Sequence, residues 1–266
     1  MKTLVTHINP HLDDILAMWL FRKFQPEFKE ANLEFISASR EAGKDPADKV
    51  FVGTGGGQFD EHKEGLKTCA GSLVFEYLRA QGFISKDEIT QKALEKMIDW
   101  NNLIDTGQAG PSEFDEFSIQ SFIRPRGNSS EVSQRAVELG EEILDRILEV
   151  LKRKQRSLLD WEKRVEFTSK FGQSVAIISE TINREFCRER EGELFLMYDP
   201  KYPSVQFFAP IKDIKEIYEQ VKAKEPEASW FLHQSHHMVI CGSSSAPDSK
   251  PTKLSFEELI EVAKSV

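Results

Sequence analysis

The apolar positions change period along the chain, and each change marks an element. Leu4 to Ile8 form a short continuous run that meets the breaker Asn9-Pro10. Leu12, Ile15, Leu16, Trp19, Leu20 and Phe24 then recur at helical spacing. Strand, loop and helix are predicted in that order. Leu33 to Ile36 and Val50 to Val52 predict two further short strands, the second entering the glycine-rich stretch Gly53-Thr54-Gly55-Gly56-Gly57. Helical patterns over about 71–81 and 86–103 follow, and this alternation is that of an α/β unit with a mostly parallel sheet. A long amphipathic helix begins near Ser129-Ser130-Glu131 and continues towards Val165, with Ala136, Val137, Ile143, Leu144, Ile147, Leu148 and Leu151 on one face. Beyond it, apolar runs at 175–178, 194–198 and 205–208 predict strands separated by turns, and 211–222 and 255–264 predict helices. The expected organisation is an α/β domain over 1–128, a connecting helical segment over 129–168, and a smaller α+β domain over 169–266.

Composition narrows the class. The chain has 266 residues, 39% hydrophobic and 30% charged, the balance of a globular protein rather than a disordered one. No run approaches the roughly 20 apolar residues of a membrane span, and Met1-Lys2 leads directly into the first strand without signal-peptide architecture, so a cytoplasmic location is expected. Cys69, Cys187 and Cys241 are odd in number and far apart, which predicts neither a disulfide framework nor a cysteine zinc site. A formal net charge of −9 argues against a surface that grips nucleic acid as a whole, while leaving room for a local groove or a bound divalent cation.

The candidate chemistry is concentrated. All six histidines fall in three places: His7 and His11, then His62, then His233, His236 and His237. The first two places also hold Asp13, Asp14, Asp60 and Glu61, and mixed imidazole and carboxylate ligands suit zinc, manganese or iron better than magnesium or calcium. Both follow predicted strands at the carboxyl end, where open α/β sheets bind ligands. If those strands are neighbours, His7, Asp13, Asp60 and His62 can meet around one or two cations, and a two-cation site hydrolyses phosphoryl compounds with metal-activated water. Plainer roles remain open. Asp13 and Asp14 can cap a helix, the glycine run can be a turn, and Asp105 can end a helix closed by Gly107. Near the C-terminus, Gly242 to Ser245 with Lys250 and Lys253 could hold a phosphate or form an exposed loop, and Lys152 to Arg156 reads as a solvated helix face.

Taken together, THINPHLDDILA, VGTGGGQFDEHK, LIDTG, WFLHQSHHMVICGSSS and PTKLSFEELIEVAK resemble the melanocyte-proliferating-gene family over nearly the whole chain. That family is labelled a metal-dependent hydrolase, is related to the DHH phosphoesterases, and has eukaryotic members regarded as 3'-5' RNA exonucleases. The resemblance implies a DHH-like catalytic domain and a smaller substrate-holding domain with a cleft between them. It implies His7, His11, Asp13, Asp60, His62 and Asp105 as metal ligands, manganese foremost with magnesium or zinc as alternatives. Asp13, Asp60, Glu61 and His62 would be catalytic, and His233, His236, Gly242, Ser243, Ser244, Lys250, Thr252 and Lys253 would hold substrate. RNA or a nucleotide is the implied partner, a membrane is not, and a homodimer is allowed. The chain departs from the family at Gly53, where the family has Asp, and at Glu61, where it has His; Glu61 can still ligate a metal or act as a general base. Two other readings stand beside this one. One is a non-catalytic relative that binds nucleotide or RNA. The other is a zinc-dependent de-N-acetylase-like hydrolase, with His11 and Asp14 of PHLDD as ligands.

Overall fold

A computed structural model describes residues 1–39, 47–65, 67–124 and 127–266. The chain divides into two compact units, 1–152 and 153–266. The first unit contains β1 (Thr3–His7), α1 (Leu12–Phe24), β2 (Asn32–Ile36), β3 (Lys49–Phe51), α2 (Ala70–Ala80), α3 (Glu88–Asp105), the short α4 (Ile119–Ile123) and most of α5 (Ser130–Trp161). Its sheet has the order β2-β1-β3, with both pairings parallel. Central β1 pairs Val5 with Glu34 on one side and with Phe51 on the other.

Helix α1 is buried continuously from Leu12 to Phe21, as a helix surrounded by other elements must be. Asn9 starts the connection in the left-handed region at φ +59, and Pro10 keeps the backbone out of the helix until Leu12. Two glycines let neighbouring helices close on α1. A Cβ on Gly71, at the start of α2, would lie 3.0 Å from Leu16 Cδ2, and one on Gly140, in α5, would lie 2.6 Å from Ile15 Cγ2. Around this contact α5 adds buried Leu144 and Leu148, and Glu141 and Asp145 accept from Arg22 at 2.8 Å and from Trp19 Nε1 at 2.9 Å.

The second unit is α+β. Its elements are β4 (Val165–Ser169), β5 (Gly172–Ile178), the short α6 (Arg184–Arg188), β6 (Leu194–Asp199), β7 (Ser204–Phe208), α7 (Lys215–Lys224), β8 (Trp230–Leu232), β9 (Met238–Cys241) and α8 (Phe256–Ser265). The sheet order is β4-β5-β6-β7-β9-β8, with β5 and β6 parallel and the other pairs antiparallel. Alternate residues serve two cores: Ala176, Leu196 and Phe207 pack with Ile217 and Val221 of α7 and Leu259 of α8, whereas Val175, Phe195 and Met197 pack with Trp161 and Phe186.

Two boundaries differ from expectation. The long helix ends at Trp161 because residues from Val165 onward pair as β4 with β5. Helix α7 begins at Lys215, whose N–H donates to Asp213 Oδ1, while Ile211 is exposed outside it. Among the described residues, no helix is long and apolar enough to cross a membrane.

Candidate metal centre

Parallel pairing of β1 with β3 sends both carboxyl ends the same way, so His7 and the loop 53–62 emerge side by side. Gly53 N–H donates to Phe59 O at 2.9 Å, and Val52 pairs with Phe59, which folds the glycine loop back on itself. Gly53, Gly55 and Gly56 all take positive φ there. A pocket of about 440 Å³ forms at this end. His7, His11, Asp13, Asp14, Gly53, Thr54, Asp60, Glu61, His62 and Asp105 line it, together with Ala38. A larger groove of about 630 Å³ between Asn32 and α5 is lined by Arg22, Glu138, Glu141 and Asp145 but contains no imidazole, and the ligand chemistry is not there.

His7 is oriented from both ring nitrogens. Nδ1 lies 2.8 Å from Ile8 O, which makes it the donor and leaves Nε2 facing Asp14 Oδ2 at 3.1 Å. The bond to Asp14 raises the His7 pKa to about 9, against the opposing effect of burial. Asp14 also accepts from His11 N at 2.7 Å and from Thr6 Oγ1 at 3.1 Å. Ligand atoms of His7, His11 and Asp14 lie within 4.8 Å of one another.

Asp13 is held from the other side. Its carboxylate accepts Ala70 N at 2.7 Å, Gly71 N at 2.9 Å and Asn101 Nδ2 at 2.6 Å, which ties the start of α2 and the buried part of α3 to α1. Burial pushes its pKa up to about 6, with Asp14 adding to the effect. Oxygen atoms of Asp13, Glu61 and Asp105 also lie within 4.8 Å of one another. Burial raises the pKa of Glu61 to about 7 and also raises that of Asp105. Asp105 is the last residue of α3, whose final turn carries no basic residue, so a carboxylate faces the negative end of the helix dipole. Electrostatics alone disfavours that arrangement.

Asp60 and His62 are partly committed within their own loop. Asp60 accepts Gly56 N at 2.6 Å and His62 N at 3.0 Å, and it lies 3.1 Å from His62 Nδ1; although burial works the other way, these donors lower its pKa. Burial lowers the His62 pKa, but the carboxylates of Glu61 and Asp60 outweigh it and the net shift is upward. Asp60, Glu61 and His62 form the third group whose ligand atoms fall within 4.8 Å.

The pocket suits a cation on two grounds. Its donors mix imidazole nitrogen with carboxylate oxygen, the set that manganese, iron or zinc accepts. Two of its buried polar atoms, Thr54 Oγ1 and Glu61 Oε2, have no protein partner, and groups so buried ordinarily have one. The sequence offers Asn101 only as one polar residue of the stretch Asp99 to Asp105, and Asp14 as a member of the first cluster, a helix cap or a ligand in the de-N-acetylase pattern; it gives Thr54 no role of its own. The spacing of His11 to Asp14 at a helix start was the available signal for Asp14, whereas nothing local marks Asn101 as the partner of Asp13.

The C-terminal candidates lie in the second unit. Glu225 accepts from Thr252 Oγ1 at 2.5 Å and from Lys253 N at 2.8 Å, and Lys250 Nζ lies 3.5 Å from Glu227. His233 Nδ1 is 2.8 Å from Ser235 Oγ and His236 Nδ1 is 2.9 Å from Asp213. Gly242 takes φ +77, and a Cβ there would meet Pro203 O at 2.6 Å, so packing alone requires this glycine. Ser243 pairs with Ala246 in a tight turn that includes Ser244. In the basic run, Lys154 pairs with Glu189 and Arg153 donates to Thr181 O, so both side chains engage later segments of their own unit.

No protein-family model and no curated protein matches the chain. Solved structures do. An uncharacterized protein from Helicobacter pylori is 10% identical with a TM-score of 0.30, covering 100% of this chain and 99% of that one. A DHH domain described as a member of a family of ribosomal proteins is 13% identical with a TM-score of 0.33, covering 99% and 86%. RecJ from Thermus thermophilus, solved in complex with Mg2+, is 12% identical with a TM-score of 0.33, covering 99% of this chain and 49% of RecJ. Likeness at these scores does not fix a family.

Proposed function

We propose that the chain is a divalent-cation-dependent phosphoesterase related to the DHH enzymes, hydrolysing phosphodiesters of RNA ends, short oligonucleotides or nucleotides, with manganese as the preferred cation. One observation carries the reading. Imidazoles and carboxylates from three separate segments converge on one pocket beyond the carboxyl ends of adjacent parallel strands. His7 and His11 would supply nitrogen ligands, and Asp13, Asp105 and Glu61 oxygen ligands, with Asp60 and His62 bordering them. Bound there, a cation pair would make water more acidic and neutralise charge on a phosphoryl oxygen. Glu61, whose buried Oε2 has no protein partner, is placed to accept a proton from attacking water. Asp13 keeps its oxygens in place through the amides of Ala70 and Gly71 and through Asn101. His233, His236, Gly242, Ser243, Ser244, Lys250, Thr252 and Lys253 are assigned to substrate holding on the resemblance alone.

The test is turnover by manganese-loaded protein on a panel of bis(p-nitrophenyl) phosphate, dinucleotides and short RNA, beside Glu61→Gln and Asp105→Asn. Turnover that falls at least 100-fold in both variants is expected, whereas no turnover on the whole panel would overturn the enzyme reading. A second reading, ligand binding without catalysis, is favoured by the engagement of Asp13 and Asp60 with main-chain N–H groups. Stoichiometric nucleotide binding without turnover would establish it.

A further inference from the structure

We propose that Asp14 is itself a cation ligand, together with His7 and His11, and that residue 53 is glycine because the Asp14 carboxylate fills the space a side chain there would need. This rests on the cation site of the proposed function. A Cβ built on Gly53 would fall 1.8 Å from Asp14 Oδ1 and 3.0 Å from its Cγ, so the two positions compete for one volume. The carboxylate that occupies it is only 3% exposed and turns Oδ2 towards His7 Nε2 at 3.1 Å. That separation is close to the roughly 3 Å between adjacent ligands held about 2.1 Å from one cation. The His7 tautomer set by Ile8 leaves Nε2, and not Nδ1, for this role.

Capping alone would explain the contact with His11 N, but a second observation points to a ligand. Thr54, next to Gly53 and 3% exposed, lines the same pocket with its hydroxyl unpartnered. An acid can be moved from one side of this volume to the other. Gly53 has φ +61, a left-handed conformation that Asp tolerates better than most residues. Asp14→Ala combined with Gly53→Asp would then present a carboxylate to the same cation from the loop instead of from the helix.

Manganese binding, read by electron paramagnetic resonance of free Mn2+ and by calorimetry, tests this without reference to turnover. Thermal melting would show which variants are folded. Asp14→Asn, which keeps the shape and one acceptor, is expected to weaken manganese binding about 10-fold or more. Gly53→Asp alone is expected to lose binding or folding through the clash, and Asp14→Ala/Gly53→Asp to recover affinity to within about 10-fold of wild type. Wild-type affinity in Asp14→Asn would overturn the ligand assignment. A folded double variant that binds no better than Asp14→Ala would overturn the exchange of positions. A wild-type protein that binds no manganese would overturn the underlying cation site as well, which separates the two failures.

Discussion

Asp13→Asn in the metal-free protein gives a prediction whose sign and size follow from the site. Asp13 has a folded-state pKa of about 6 against an ordinary 3.8, because burial disfavours its charge. A group raised in this way contributes stability that is complete below the unfolded pKa and is lost as pH rises through the folded one. At about 1.4 kcal/mol per pH unit, Asp13 alone should make the metal-free protein ~2 kcal/mol less stable at pH 7 than at pH 4. Asparagine does not titrate, so this slope disappears from the variant. In exchange, its NH2 must confront one of the donors now satisfied, Ala70 N on one side or Gly71 N and Asn101 on the other, at a cost of about 1–3 kcal/mol. The variant should therefore be the less stable protein near pH 4 and approach or match wild type at pH 7. Urea unfolding in EDTA across this range measures it, with hydrogen exchange of the Ala70–Ala80 amides reporting on the first unit. A stability difference independent of pH would refute the reasoning.

Three other expectations follow from particular contacts. His7 holds its proton up to about pH 9, and that proton must leave before Nε2 can ligate, so manganese affinity should rise by up to about tenfold per pH unit from pH 7 to 9. Calorimetry at three pH values checks this, and His7→Gln should flatten the profile. Gly140→Ala gains ~1 kcal/mol of helix propensity but drives a methyl group against Ile15 Cγ2, costing about 1–3 kcal/mol, so chemical denaturation should show a net loss of ~1 kcal/mol. Ser255→Ala removes the oxygen that accepts Glu258 N at 3.1 Å and should cost ~1 kcal/mol in thermal unfolding of the second unit.

Much of the frame was legible because its signals are local. The run Leu4 to Ile8, the Asn-Pro break and the periodicity after Leu12 each report on adjacent residues, and β1 and α1 follow. The short β4 was missed because Val165–Ser169 is half polar; pairing, not pattern, makes it a strand. For the site, the strand-end position of His7 and the loop carrying Asp60, Glu61 and His62 could be read directly. The partners of Asp13 could not. Asn101 is 88 residues away and meets Asp13 only once α1 and α3 pack. Gly53 is read in sequence as a missing side chain, whereas in three dimensions its place is taken by Asp14.

The end of α3 has a consequence for local order. Its last turn finishes on Asp105 without a basic side chain, and Thr106 and Gly107 close it through N–H donors to Asn102 O and Ile104 O. A cation at Asp105 would provide the positive charge that helices usually recruit from lysine or arginine at this position. Metal would then supply the charge that the last turn of this helix lacks. Occupancy of the pocket should register as slower amide exchange at Thr106 and Gly107, a report from the backbone that needs no substrate.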